Sequence, residues 1–187
     1  LPILAPAEIT NLATGMTARH FGGLSATGSV YIYDTPVTFL WNNTSTAGSL
    51  PWSGAGNWSG ASVPSSSRAN QIAYFTGQTL AGGAITSNQD SVAEFQLNTL
   101  KLGGTTSAAT TATITGGKLT LINNGQIDSG IILDATAGNG FTYDVATPIT
   151  LGADTTFSGS GTAALRVSGA IDGTGDLIKT STGTLVL

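Results

Sequence analysis

Apolar and polar residues alternate in short bursts along most of this chain. Val30-Tyr31-Ile32-Tyr33 and Val37-Thr38-Phe39-Leu40-Trp41 open the pattern, parted by Asp34-Thr35-Pro36, and from Gln71 onward similar runs recur. A period of two puts successive side chains on opposite faces of a strand. The pattern predicts strands at 30–33, 37–41, 71–76, 84–87, 92–96, 99–102, 111–115, 118–122, 130–133, 142–145, 148–151, 155–158, 163–167, 169–171, 176–179 and 183–187. Gly82-Gly83, Gly103-Gly104, Gly116-Gly117, Asn124-Gly125 and Asn139-Gly140 read as the turns between them. The alternation points Ile114, Leu119, Leu121, Ile131, Leu133, Ile149, Leu151, Phe157, Leu165, Val167, Ile171, Leu177, Leu185 and Leu187 inward.

The first part of the chain reads differently. Leu1–Ile9 is apolar and carries Pro2 and Pro6, which favours an extended segment over a helix. Residues 10–24 contain Gly15, Gly22 and Gly23 and read as a turn or irregular piece. Residues 42–70 are rich in Ser, Gly, Asn and Pro, and Trp41, Trp52 and Trp58 punctuate that region. Buried indoles remove large apolar areas from water, so this loop is expected to pack down. The chain divides into an N-terminal extended or β cap segment (1–50) and a parallel β-solenoid with a tryptophan-rich lead-in (51–187).

Short strands with frequent turns fit either an antiparallel sandwich or a solenoid. Recurrence favours the solenoid: Leu97-Asn98-Thr99-Leu100-Lys101-Leu102-Gly103-Gly104, Gly117-Lys118-Leu119-Thr120-Leu121-Ile122-Asn123-Asn124 and Pro148-Ile149-Thr150-Leu151-Gly152-Ala153 share one rhythm. Coils of about 20–25 residues, about 4.8 Å apart, would make some five tiers and a stack about 24 Å tall.

Composition supports an all-β chain and narrows its partners. Charged residues are 9% of 187, against about 25% in ordinary domains, while Gly numbers 26. Arg19, Arg68, Lys101, Lys118, Arg166 and Lys179 form no run able to follow a phosphate backbone, which argues against nucleic acid. Cysteine is absent, which excludes thiol catalysis and thiolate metal sites. No stretch approaches the roughly 20 apolar residues of a membrane helix. Leu1 opens the sequence in place of Met, and Leu1–Ala7 reads as the start of a mature chain after removal of an earlier segment.

The last third carries a specific pattern. Leu151-Gly152-Ala153-Asp154-Thr155-Thr156-Phe157 leads through Val167-Ser168-Gly169-Ala170-Ile171-Asp172-Gly173 to Thr174-Gly175-Asp176-Leu177-Ile178-Lys179-Thr180-Ser181-Thr182-Gly183-Thr184-Leu185-Val186-Leu187. This resembles the autotransporter-associated β-strand repeat, also called the passenger-associated transport repeat. Trp52–Trp58 with Val63-Pro64 and Ile72-Ala73-Tyr74-Phe75 resembles the lead-in found before such repeats. The resemblance spans about residues 50–187 and is strongest over 168–187. It implies a right-handed parallel β-helix, export and display on a bacterial surface, and it transfers no catalytic residue. Ser181 stands where the family usually has Gly, and the Ser-Gly and Asn-Thr-Tyr segment that usually follows is not in this sequence. No C-terminal membrane barrel is present in it, so transport of the chain by itself is not expected.

Candidate chemistry is sparse. His20 is the single histidine, and no nucleophile elbow surrounds any serine. Asp128, Asp134, Asp144, Asp154, Asp172 and Asp176 are spread along the solenoid, and stacking of coils offers one route to a carboxylate pair such as polysaccharide lyases and hydrolases use. Asp172-Gly173-Thr174-Gly175-Asp176 is a candidate calcium turn, weighed against a plain Asp-Gly turn. Trp41, Trp52 and Trp58 are candidate cap or glycan contacts; the sequons at Asn42 and Asn57 carry little meaning if the source is bacterial, as the resemblance implies. Leu1, Ile3, Leu4 and Ile9 at one end and Leu185, Val186 and Leu187 at the other are candidate contacts between copies. The expectation is a non-catalytic, secreted bacterial surface protein without cofactor, a stalk or fibre subunit joined head to tail. The alternatives are a carbohydrate-binding adhesin and a β-helix lyase or hydrolase.

Overall fold

The computed structural model describes the backbone of residues 16–20 and 30–187, with side chains from Thr35 onward. In chain order the elements are β1 (Met16–His20), β2 (Val30–Asp34), β3 (Val37–Trp41), β4 (Ser49–Pro51), two single 3-10 turns (Ala55–Asn57 and Ser59–Ala61), β5 (Asn70–Tyr74), β6 (Thr79–Leu80), β7 (Gly83–Leu97), β8 (Thr99–Leu102), β9 (Thr105–Thr106), β10 (Thr110–Leu121), β11 (Ser129–Leu133), β12 (Phe141–Val145), β13 (Ile149–Leu151), β14 (Thr155–Ser158), β15 (Ala164–Val167), β16 (Ile171–Gly173), β17 (Leu177–Lys179) and β18 (Thr184–Val186). The described chain is all-β.

Two parallel sheets hold most of these strands. The first runs β3-β5-β8-β11-β14-β17. In the second, β10 lies along β7; β12, β15 and β18 follow its first half, β13 and β16 its second half, and β4 lies against β7 on the far side. The chain visits the first sheet, crosses to the second and returns, so each round trip lays down one tier. Parallel strands demand such crossovers, because no two-residue turn can join them. β3 and β4 already belong to the two sheets, so the sheets run across residue 50.

Register then builds the core by columns. In the first sheet Phe39, Ile72, Leu100, Ile131, Phe157 and Lys179 lie in one line, each beside the next. In the second, Ile85, Ala112, Tyr143, Leu165 and Leu185 form one column, and Phe95, Leu119, Ile149 and Ile171 another. The middle members of all three are almost wholly buried and belong to one continuous apolar cluster. Of the residues expected inward, Ile171 is 37% and Leu187 73% exposed, while Leu177 and Leu185 are only half-buried. Ile171, Leu177 and Leu185 pair in inward register, but each has a paired neighbour on one side only, and full burial needs one on both.

Two expectations need correction. The segment around residues 10–24 contains a strand, β1, paired antiparallel with β2; Met16-Thr17-Ala18-Arg19-His20 shows too little apolar alternation to announce it. The expected breaks at 88–91 and 116–117 do not end strands: β7 and β10 run through them. Pairing continues across a register shift between Gly116 and Lys118. Gly116 has φ 103°, and a Cβ there would lie 2.2 Å from the Gln89 carbonyl oxygen. Glycine is therefore required where the tier above presses into the bend. The buried Gln89 side chain holds the matching bend in β7, donating to the Val92 carbonyl and accepting from the Ser91 and Val92 amides.

Leu97, Leu121, Leu151 and Gly173 form a further inward column, with Leu151 5% exposed. Leu151→Asp buries an uncompensated carboxylate between two tiers, costing several kcal/mol or more. Circular dichroism melting should show no cooperative transition for this variant; a melting curve like the parent's would contradict the register.

Candidate functional site

The tryptophan-rich lead-in folds into a compact aromatic plug. β3 ends in Trp41, β4 precedes Trp52, and the 3-10 turn Ala55–Asn57 delivers Trp58 back to Trp41 through an isolated antiparallel bridge. Trp58 packs edge-on against Trp41 at 5.1 Å and Trp52 at 5.5 Å, and Trp52 packs edge-on against Phe95 at 5.0 Å. Each indole N–H has an acceptor: Trp41 donates to the Asn43 carbonyl (3.1 Å), Trp52 to the Tyr74 hydroxyl (2.9 Å) and Trp58 to the Trp52 carbonyl (2.7 Å). Asn57 fastens the loop by donating to the Pro51 carbonyl and accepting from Asn43. At most 3% of any of these tryptophans is exposed, so no ring face is open for stacking on a sugar. Tyr74 and Tyr143 lie in the same aromatic line, and burial pushes both phenols well above their ordinary acidity range. They act as fixed hydroxyls.

Most of the described acidic side chains have a partner of their own. Asp134 forms an ion pair with Lys101 at 2.8 Å. Asp144 accepts from Ser168 at 2.6 Å with Arg166 at 3.9 Å. Glu94 accepts from Thr120 at 2.6 Å and faces Lys118, and both interactions lower its pKa. Desolvation of Asp90 is outweighed by hydrogen bonds from the Ser53 hydroxyl and amide, so its carboxyl sits below the usual range and ties the lead-in to β7.

Asp128 and Asp154 share one surface feature. They line an open depression of about 400 Å³ together with Asn123, Ala153, Thr156 and Ile178. Asp128 accepts from Asn123 at 2.7 Å, and Asp154 from the Asp176 amide at 3.0 Å. No Lys, Arg or aromatic ring lines the depression, so it offers an acidic sugar neither counter-charge nor stacking face.

The candidate calcium turn serves the backbone. Asp172 accepts from Thr150 on the tier above, and a Cβ on Gly175 would lie 2.1 Å from the Ala153 carbonyl oxygen. Among the described residues no three His, Asp or Glu side chains gather as a metal site, and no helix is long and apolar enough to cross a membrane. His20 lies on β1, where the backbone alone is described.

Leu1, Ile3, Leu4 and Ile9 lie outside the described residues. At the other end Leu185 packs half-buried against the core, with Val186 49% and Leu187 73% exposed. Sequence reasoning passed over Lys179. It is exposed but stands in register with the buried Phe157, its ammonium 6.0 Å from the centre of that ring and donating to the Ser181 carbonyl at 2.7 Å. The signal was present as Leu177-Ile178-Lys179, a lysine at the same parity as an inward leucine, but parity has meaning only once Phe157 is known to lie beside it. Comparison with protein-family models, curated proteins and solved structures finds no match for this chain.

A hydrogen bond from Lys101, supported by the Thr136 amide, holds the Asp134 carboxyl down at about 2. A depressed carboxylate contributes stability above its unfolded pKa and loses it as pH falls through the folded one. Asp134→Asn should lower the melting temperature by about 2–4 °C at pH 7. That difference should close between about pH 4 and pH 2. A gap of constant size down to pH 2 in thermal melts would show that the ion pair does not contribute.

Proposed function

We propose that this protein is a non-catalytic structural unit of an extracellular bacterial surface. In this reading the two parallel sheets wind as a right-handed β-helix of the autotransporter-associated repeat type, and copies stack head to tail into a fibre or stalk. One observation carries the proposal. Inward side chains stack in register from one parallel strand to the next in both sheets, so the described tiers repeat along a single axis. Parallel strands paired in this way are templates for further pairing in the same register. The described core is filled, and most described acids have partners of their own, an arrangement that serves rigidity.

The carbohydrate-binding reading loses its main support with the closure of the three indoles. Light scattering over a rising concentration series, with negative-stain microscopy of the same samples, tests the structural reading. The expected result is growth in mass and elongated particles of constant width. A monodisperse monomer at the highest concentration, or release of unsaturated or reducing sugar from an acidic polysaccharide, would overturn it.

A further inference from the structure

We infer that Asn139 is a site of self-modification: the Gly140 backbone nitrogen attacks the Asn139 carboxamide, ammonia leaves, and water opens the resulting succinimide to aspartate or isoaspartate. This does not depend on how copies assemble. The sequence holds two Asn-Gly pairs, Asn124-Gly125 and Asn139-Gly140, and both lie in connections between strands. Glycine hinders such an attack least, because no Cβ shields its nitrogen. In sequence the two pairs are equivalent; in the fold they are not.

Asn124 is fully buried, and its Oδ1 accepts from the Gln126 amide at 2.9 Å and the Ile127 amide at 2.7 Å. The Gly125 N–H, which carries the nitrogen that would attack, donates to Asn123 Oδ1. Reaction there has to wait for a local opening that breaks these bonds together. Asn139, by contrast, is exposed, and neither its carboxamide nor the Gly140 N–H has a hydrogen-bond partner among the described residues. The Phe141 amide donates to the Gly138 carbonyl at 3.3 Å and closes a turn with Asn139 and Gly140 at its centre. Gly140 has φ 86°, so the turn itself selects the glycine that leaves Asn139 open to attack. The turn leads into β12, which has β10 on one side and β15 on the other, so its exposure owes nothing to either end of the chain.

Water is the only reagent the reaction needs. The Gly140 nitrogen bonds to Asn139 Cγ and gives up its proton; the Cγ–Nδ2 bond breaks, and the side-chain nitrogen leaves as ammonia. Water then adds to either imide carbonyl. Opening at Cγ restores the ordinary backbone with aspartate in place of asparagine. Opening at the main-chain carbonyl leaves the chain running through Cβ and Cγ, which inserts a methylene just before Gly140. The Gly140 carbonyl accepts from the Thr110 amide at 2.9 Å, next to the first paired residues of β10 and β12. Isoaspartate therefore pulls on the start of a tier, whereas aspartate leaves the backbone in place.

The test ages the folded chain at mildly alkaline pH and then digests it with trypsin. No Lys or Arg lies between Lys118 and Arg166, so one peptide carries both Asn-Gly pairs and its fragment spectra compare them directly. In the folded chain Asn139 should convert at least about tenfold faster than Asn124, with ammonia released to match. In urea the two should convert at similar rates, and Asn139→Gln should abolish the fast conversion. Equal rates in the folded chain, or a folded Asn139 that stays intact while the denatured chain converts, would overturn the inference. A tenfold gap that persists in urea would overturn its structural basis. Protein aged to isoaspartate at position 139 should melt below the parent, while Asn139→Asp should melt with it. An isoaspartyl form that melts like the parent overturns the coupling of this turn to β12.

Discussion

The two large sheets depend on parallel strands pairing in register from one tier to the next. In the middle tiers each inward side chain is covered above and below by the residue at the same position of the neighbouring tier, and the backbone bonds between tiers hold that alignment. The core is therefore a set of columns. Ile72, Leu100, Ile131 and Phe157 show the rule in one sheet, and Tyr143 and Leu165 in the other. Because the tiers also touch at their corners, the corners are constrained as tightly as the faces. Gly116, Gly173 and Gly175 lie where the carbonyls of the preceding tier leave no room for a Cβ. Thr147 donates to the carbonyls of Gly116 and Gly117 and ties the same corner to the next tier.

A polar column runs inside this apolar frame. Asn98 is fully buried and donates to the Ile122 and Ile127 carbonyls, and Ser129 and Thr155 share a hydrogen bond between tiers at 2.7 Å. Buried amides and hydroxyls satisfied in this way fix the entry of each strand into the first sheet, since a slip of one residue would leave them unpaired. Lys179 stands in register with Phe157, but it is exposed: its ammonium lies over the Phe157 ring and donates to the Ser181 carbonyl while remaining in reach of water.

Much of the strand content was legible in the sequence, because alternation such as Lys118-Leu119-Thr120-Leu121 and Thr142-Tyr143-Asp144-Val145 has one simple reading. The inward residues from Ile114 to Val167 followed from it. Three features were not legible, each for a physical reason. β1 has weak alternation and exists through its pairing with β2. The continuity of β7 and β10 depends on their lying side by side, which overrides the turn chemistry of Gly116-Gly117. The environment of Lys179 comes from Phe157, a neighbour in space rather than in sequence. The tryptophans were recognised as a feature, but that all three are turned inward follows from their burial in the folded chain, with acceptors supplied there for each N–H.

The repeating local pattern becomes tiers through one feature: distant residues sit side by side in parallel register. Nuclear Overhauser contacts between backbone protons of Ile131 and Phe157, and of Leu119 and Ile149, test it most directly. Parallel in-register pairing predicts both sets of contacts, with none of the short Hα–Hα distances of antiparallel neighbours. Strong Hα–Hα contacts between strands adjacent in sequence, such as β12 and β13, with neither predicted set observed, would contradict it.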